Sequence, residues 1–263
     1  MTTTINTPHH FDTLSFGAPL PQGWDMARRL RHQGFCLASA EELTAHAIIA
    51  VESCQAAVRL WDDLPADQYL KDGGHYRSRR HGSFIQTLSP LTNQPALTEV
   101  PYRPHWQPTA YNALHGGMLR HFEALTPALC QLACWNPLLT GLGQLFAQIK
   151  PTQQWFIEAH QFRIDTQGGV GRPTPEGAHR DGVDFVAVVF MGRAGVSGGE
   201  TRVFELAGHH GVRFTLTQPF SALLMDDTRV IHESTPIVPL DEAHRGWRDT
   251  LVLTYRSAGF LTP

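Results

Sequence analysis

The stretch EGAHRDGVDFVAVVF, Glu176 to Phe190, carries the reading of the whole chain. It ends in a run of apolar, mostly β-favouring residues, which reads as a buried strand. Ahead of that run stand His179 and Asp181, two residues apart, with Gly182 directly after them. In extended backbone, side chains at i and i+2 point to the same face. His179 and Asp181 can therefore aim at one point, at the mouth of the strand. By itself an H-x-D pair is equally at home in a turn, so its meaning depends on the elements around it.

Similar segments recur after Pro151. WFIEAHQFRI, DFVAVVFM, ETRVFEL, VRFTL, SALLMD, TRVIHE and DTLVLTYR are separated by the turn residues Gly168-Gly169, Gly198-Gly199, Gly208 and Asp226-Asp227. Short strands at this spacing build a sandwich or a barrel. Before Pro151 helical patterns dominate. Ser39 is placed to cap a helix over residues 40–61, where Leu43, Ala47, Ala50, Cys54 and Val58 recur at helical spacing. A second helix is expected over 109–125 and a third over 127–149, interrupted near Asn136-Pro137. DGGHYRSRRHGSF and YRPHWQPTAY read as loop and short strand. Helices on one side of a β-core give an α+β class. The expected organisation is a single domain over 1–263, with a mobile tail (1–20), a mainly helical part (21–150) and the β-core (151–263).

Composition narrows the function. The chain has 263 residues, a net charge of −3 and ordinary hydrophobic content, which gives no reason to expect a nucleic-acid partner. No apolar run is long enough to span a membrane, and MTTTINTPHHFD lacks the basic-then-apolar form of a secretion signal. Cys36, Cys54, Cys130 and Cys134 form no C-x-x-C pair, so reduced thiols and a cytoplasmic location are expected.

His232, in LLMDDTRVIHESTP, gives the H-x-D pair its meaning. It ends a short strand on the far side of two others, and in a closed barrel that strand can return beside the first. Two histidines and one carboxylate then grip one face of a metal and leave the other open, as in the facial triad of non-haem Fe(II) oxygenases. Arg248 opens the last strand. Its planar fork suits the far carboxylate of a dicarboxylate cosubstrate, with Arg245 and Arg256 as rivals for the role.

HRDGVDFVAVVFM, GGETRVFE, QPFSALLMD, IHESTPIVP and WRDTLVLTY, in that order, resemble the bacterial 2-oxoglutarate/Fe(II) dioxygenases that hydroxylate free L-amino acids, the L-isoleucine 4-hydroxylase group among them. The likeness extends to EAHQFRI and, more faintly, to HYRSRRHGSF. It implies a double-stranded β-helix, or jelly roll, braced by helices on one sheet. It implies Fe(II) held by His179, Asp181 and His232, 2-oxoglutarate anchored by Arg248, and O2 as oxidant. The reaction implied couples succinate and CO2 release to hydroxylation of an unactivated C–H bond in a free L-amino acid, aliphatic or similar. Arg79 and Arg80 are candidates to hold a substrate carboxylate. On WFIEAHQFRI, either Gln161 with Arg163 or His160 with Phe162 faces the interior, and the resemblance makes Gln161 and Arg163 candidate substrate residues. A cupin-type metal enzyme without 2-oxoglutarate, or an oxygenase of another small molecule or a protein side chain, are the alternatives. Oligomeric state is not legible.

Other features read plainly. His209-His210 reads as a solvated turn, and His75, His81, His105 and His115 as loop histidines, mostly structural or exposed. Gly168–Gly171 lacks a following Lys-Ser/Thr and reads as a flexible segment near the site, not a phosphate loop. Trp106 and Tyr111 read as packing residues, and Cys130 and Cys134 as core.

Overall fold

The run Phe185–Met191 is apolar throughout because it is covered on both faces. Phe185, Ala187, Val189 and Met191 enter one hydrophobic cluster, and Val186 and Phe190 enter another. This period-two division is that of a strand sandwiched between two layers. In a computed structural model, which describes residues 14–16, 23–88, 96–208, 210–241 and 243–263, this strand lies near the middle of the main sheet.

The strands are β1 (Leu14–Phe16), β2 (Phe35–Ala38), β3 (Arg77–Thr87), β4 (Ala96–Glu99), β5 (Gln154–Asp165), β6 (Phe185–Ala194) and β7 (Val196–Gly198), then β8 (Thr201–Glu205), β9 (Gly211–Phe214), β10 (Ala222–Asp226), β11 (Val230–Ser234), β12 (Ile237–Pro239) and β13 (Trp247–Arg256). A seven-stranded sheet runs β2-β10-β6-β13-β5-β3-β4, and a four-stranded sheet runs β1-β9-β8-β11. Every pairing in both is antiparallel. Phe35, Val186, Phe190, Val203, Phe214 and Met225 fill one cluster contributed by both sheets, which makes the two-layer jelly roll. The other face of the large sheet packs on the helices α1 (Met26–Gln33), α2 (Ala40–Ala45), α3 (Val51–Cys54), α4 (Pro127–Cys130) and α5 (Trp135–Ala147). Helices bracing one sheet of a jelly roll are the α+β arrangement expected.

The part before residue 151 is less helical than its pattern suggests, and it supplies β2, β3 and β4 to the large sheet. The expected helix over 40–61 breaks into α2, α3 and a 3-10 turn over Gln55–Trp61. Ser39 does cap its start, accepting from the Glu42 N–H. Ala47 takes a positive φ of 55° that ends the first piece, and the chain turns to bury Ile48 and Ile49. Helical spacing was present, but these two side chains lie off the predicted apolar stripe and gain more from burial than the helix gains by continuing.

No helix forms over 109–125. Asn112 accepts from the His115 N–H at 2.7 Å, and the Pro108 carbonyl accepts from the Tyr111 and Asn112 N–H groups. Asparagine and proline here supply the local turn bonds that compete with a helix. The third expected helix is interrupted at Gln131–Cys134 rather than at Asn136-Pro137. Pro137 sits in the first turn of α5, where its missing N–H costs nothing. Of the tail read over 1–20, only the backbone of Leu14–Phe16 is described, as β1; His209 lies outside the described residues. Among the described residues no helix is long and apolar enough to cross a membrane, and all four cysteines are free thiols.

Candidate active site

His179 lies in the segment ahead of β6, and His232 lies on β11. Their backbones exchange both hydrogen bonds, N–H to C=O, at 3.0 Å each. The two imidazoles are thereby set side by side, with ring centroids 4.6 Å apart. The loop carrying Asp181 is held from beneath by Asp227. The buried Asp227 carboxylate accepts from the N–H groups of Asp181 (2.9 Å), Gly182 (2.8 Å) and Val183 (3.1 Å). Gly182 takes φ +81°, and a Cβ there would stand 2.3 Å from the Tyr111 ring, so this turn requires glycine.

One ligand atom from each of His179, Asp181 and His232 lies within 4.8 Å of the others. His179 Nδ1 is 2.9 Å from the Gly177 carbonyl, which places its proton there and leaves Nε2 with a lone pair. Asp181 Oδ2 and His232 Nδ1 are buried without a hydrogen-bond partner. Two imidazoles and one carboxylate, with orphaned atoms on His232 and Asp181 and open on one side, suit Fe(II).

The electrostatics differ between the two histidines. Burial, then the neighbouring His179, hold His232 far below the ordinary histidine range, so it stays neutral as a ligand must. Burial also disfavours a charged His179, but Asp181 and Glu176 outweigh it and raise its pKa. Burial and then Asp181 push Asp227 up to about 7.

The loop 103–120 orients the carboxylate. Gln107 Nε2 donates to Asp181 Oδ1 at 3.2 Å. Its amide cannot turn round, because Gln107 Oε1 accepts from Arg120 at 2.8 Å and from Asn112 at 3.3 Å. A Pro-rich loop gave no sign of this in the sequence.

The three residues open onto a cavity of about 120 Å³. Arg248, on β13, reaches into it. The residue is 4% exposed, and its Nε has no partner. Burial and then Arg193 lower its pKa to about 10, which still leaves it charged at neutral pH. Its rivals point elsewhere. Arg245 is paired with Asp165 at 2.5 Å, and Arg256 donates to the carbonyls of Ala258 and Gly259.

Register decides the fate of the four expected substrate residues. On β5, Trp155, Ile157 and Ala159 pack toward the helices, so Glu158, His160, Phe162 and Ile164 face the cavity. Gln161 is buried on the helical side, where its amide donates to the Leu60 carbonyl. Arg163 is bound to Asp249 at 2.7 and 2.8 Å and to Asp62 at 3.0 Å, and it lies over the Trp247 ring. On β3, Arg79 opposes Phe162 and lines the cavity, whereas Arg80 points away and pairs with Glu123 at 2.9 Å. The expectation of substrate contact for Arg80, Gln161 and Arg163 is therefore corrected. The period of two is legible in a sequence, but which face meets the cavity is not.

A second polar group adjoins the site. His81, His105, Glu158 and His160 are all buried with ligand-type atoms close together. Glu158 accepts from His105 at 3.1 Å, with His81 Nε2 at 3.3 Å and Arg103 at 3.5 Å. Arg79 donates to His160 Nδ1 at 2.6 Å. Burial, in the first place, holds His160 well below and His105 at about 4, while the surrounding histidines keep Glu158 ionised against burial. With a carboxylate bonded to His105 and Arg103, His81 beside it and guanidinium groups close by, this is a polar wall of the cavity. Reading His81 and His105 as loop histidines, mostly structural or exposed, gave no sign of this group; His81 is on β3, and His105 is carried in by the Pro-rich loop.

Gly168-Gly169 forms a turn, and Gly171 is anchored by reciprocal backbone bonds to Ile237.

Comparison with known proteins adds to this picture. The model of the 2OG-Fe dioxygenase family matches residues 58–254. Among curated proteins none matches significantly. A crystal structure of a bsmA homolog from Methylobium petroleophilum PM1 is 58% identical, with a TM-score of 0.85, covering 90% of this chain and 94% of that one. The structure of IDO from Bacillus thuringiensis (TM-score 0.68, 16% identity, 88% and 97% coverage) shares the fold. So does that of the Fe(II)/(alpha)ketoglutarate-dependent dioxygenase TqaL (TM-score 0.68, 17% identity, 88% and 84% coverage). On the family match over most of its length, the chain belongs to the 2OG-Fe dioxygenases, and it is a dioxygenase that uses Fe(II), 2-oxoglutarate and O2.

Proposed function

We propose that the protein hydroxylates an unactivated C–H bond of a free L-amino acid, with His179, Asp181 and His232 holding Fe(II) and Arg248 anchoring 2-oxoglutarate. The observation that carries this assignment is one cavity containing both the triad, with orphaned donor atoms, and a buried arginine with an unpartnered Nε.

The bound iron and cosubstrate supply the oxidising chemistry. The chain's own residues position and shield. Arg248 sits in a low-dielectric wall with Phe190 nearby, where a guanidinium–carboxylate pair is worth more than in water. Gln107 fixes the Asp181 carboxylate in the plane its ligand role needs. Val188 and Val252, on the cavity wall, keep a reacting C–H in apolar surroundings. Arg79, whose guanidinium lies over the Phe122 ring at 3.7 Å, is positioned to receive a substrate carboxylate. A small cavity with charged and apolar walls supports an amino acid as substrate; in the TqaL and IDO structures the similarity reaches only the fold.

The test is succinate release by purified protein supplied with Fe(II), ascorbate, 2-oxoglutarate and pooled L-amino acids, with Asp181→Ala as control. Amino-acid-dependent succinate that is lost in the control is expected, and mass spectrometry identifies the pool member that gains an oxygen. Succinate release unaffected by every pool would sink the amino-acid reading.

A further inference from the structure

Glu176 stands in the opening stretch of sequence, yet the site as described gives it no task. It lines the cavity, and its side chain is 9% exposed. Oε1 lies 3.6 Å from His179 Nε2, while Oε2 is buried with no hydrogen-bond partner. It does not belong to the group of ligand atoms that lie mutually within 4.8 Å, so it stands beside the metal triad rather than in it.

A buried carboxylate oxygen without a hydrogen-bond donor is costly and calls for a partner. None of the arginines lining the cavity is bonded to Glu176. Arg77 pairs with Asp67 at 2.7 Å, Arg79 donates to His160, and Arg120 donates to Gln107. The metal does not need Glu176 either. The charge of Fe(II) is met by Asp181 and 2-oxoglutarate, and the surplus of the dicarboxylate is met by Arg248. What remains is Glu176 Oε2, an unpartnered acceptor on the wall of the substrate space.

We propose that Glu176 receives the ammonium group of the substrate. The enzyme then selects small molecules with a free amine and rejects their N-acylated and 2-hydroxy counterparts. This rests on the amino-acid reading above and sharpens it: the cationic wall takes the carboxylate of the zwitterion and Glu176 takes the ammonium, leaving the side chain for the apolar wall. An N-acyl group would remove the positive charge, reduce three N–H donors to one and add bulk beside the carboxylate.

The experiment is calorimetric binding to protein loaded with Mn(II) and 2-oxoglutarate without O2. The probe is the amino acid that gives most succinate in the pooled assay, compared with its N-acetyl derivative and its 2-hydroxy acid. Wild type is expected to bind the amino acid at least tenfold more tightly than either analogue, and Glu176→Gln to lose roughly tenfold to hundredfold in affinity for the amino acid alone. Metal content of Glu176→Gln is measured alongside; if that variant does not fold or hold Mn(II), the wild-type analogue series decides. Equal affinity of wild type for the amino acid and its N-acetyl derivative would overturn the assignment, as would a well-folded Glu176→Gln that binds the amino acid undiminished. If no amino acid supports succinate release, the broader reading falls and takes this one with it, whereas turnover without discrimination defeats the Glu176 assignment alone.

Discussion

His179 and His232 exchange both backbone hydrogen bonds at 3.0 Å, and this single pair ties the segment ahead of β6 to β11. Convergence of the two imidazoles, the candidate metal ligands, is thus built into main-chain pairing.

It follows that removing a ligand side chain should spare the fold and remove the metal. Asp181→Ala is expected to weaken Mn(II) binding by more than the roughly 10–100-fold that loss of an outer partner costs. Circular dichroism should be unchanged, because the Asp227 bonds go to main-chain N–H groups that remain. Titration calorimetry with Mn(II) checks it.

Gln107→Ala removes the donor that orients Asp181 Oδ1 and leaves Arg120 and Asn112 without their shared acceptor. Metal affinity should fall roughly 10–100-fold, with the affinity for 2-oxoglutarate changing less. A loss confined to 2-oxoglutarate would show that Gln107 serves another role.

Arg248→Met should raise the Kd for 2-oxoglutarate about a hundredfold, the worth of two charge-assisted hydrogen bonds at roughly 1.5 kcal/mol each. Arg256→Gln, whose guanidinium is spent on the Ala258 and Gly259 carbonyls, should leave that Kd within about threefold. The reverse ranking would move the anchor.

Arg163→Ala tests the corrected register. Asp249 is fully buried and would be left as an uncompensated charge, so a loss of about 3 kcal/mol is expected. Thermal melting should drop on the order of 6–12 °C, while the KM for substrate stays unchanged in the cold. A raised KM would return Arg163 to the site.

His105 sets a pH dependence. Its folded pKa of about 4 lies below the ordinary value near 6.5, so the unfolded chain takes up the proton first as pH falls. The stability it contributes is complete above pH 6.5 and is lost between there and pH 4, about 2 kcal/mol of it by pH 5. Urea unfolding at pH 7 and pH 5 should show His105→Gln losing about that much less than wild type.

Much of this was legible in the residues. The strands after Pro151, Ser39 as a cap and the H-x-D pair with His232 follow from period, turn chemistry and ligand type, which are local properties of the chain, whereas only the family resemblance set Arg248 apart from Arg245 and Arg256. The tertiary structure alone decided what depends on distant partners. Burial of Ile48 and Ile49 broke a helix whose spacing was sound. Strand pairing between β3, β5 and β13 chose His160 and Phe162 for the cavity and sent Gln161 and Arg163 to the other face. A loop without periodic pattern brought in Gln107, His105 and Arg120. Chemistry of a residue is written in its type; the face it shows, and the charge left unpaired beside it as at Glu176, are set by segments far away in sequence, whose packing no local pattern encodes.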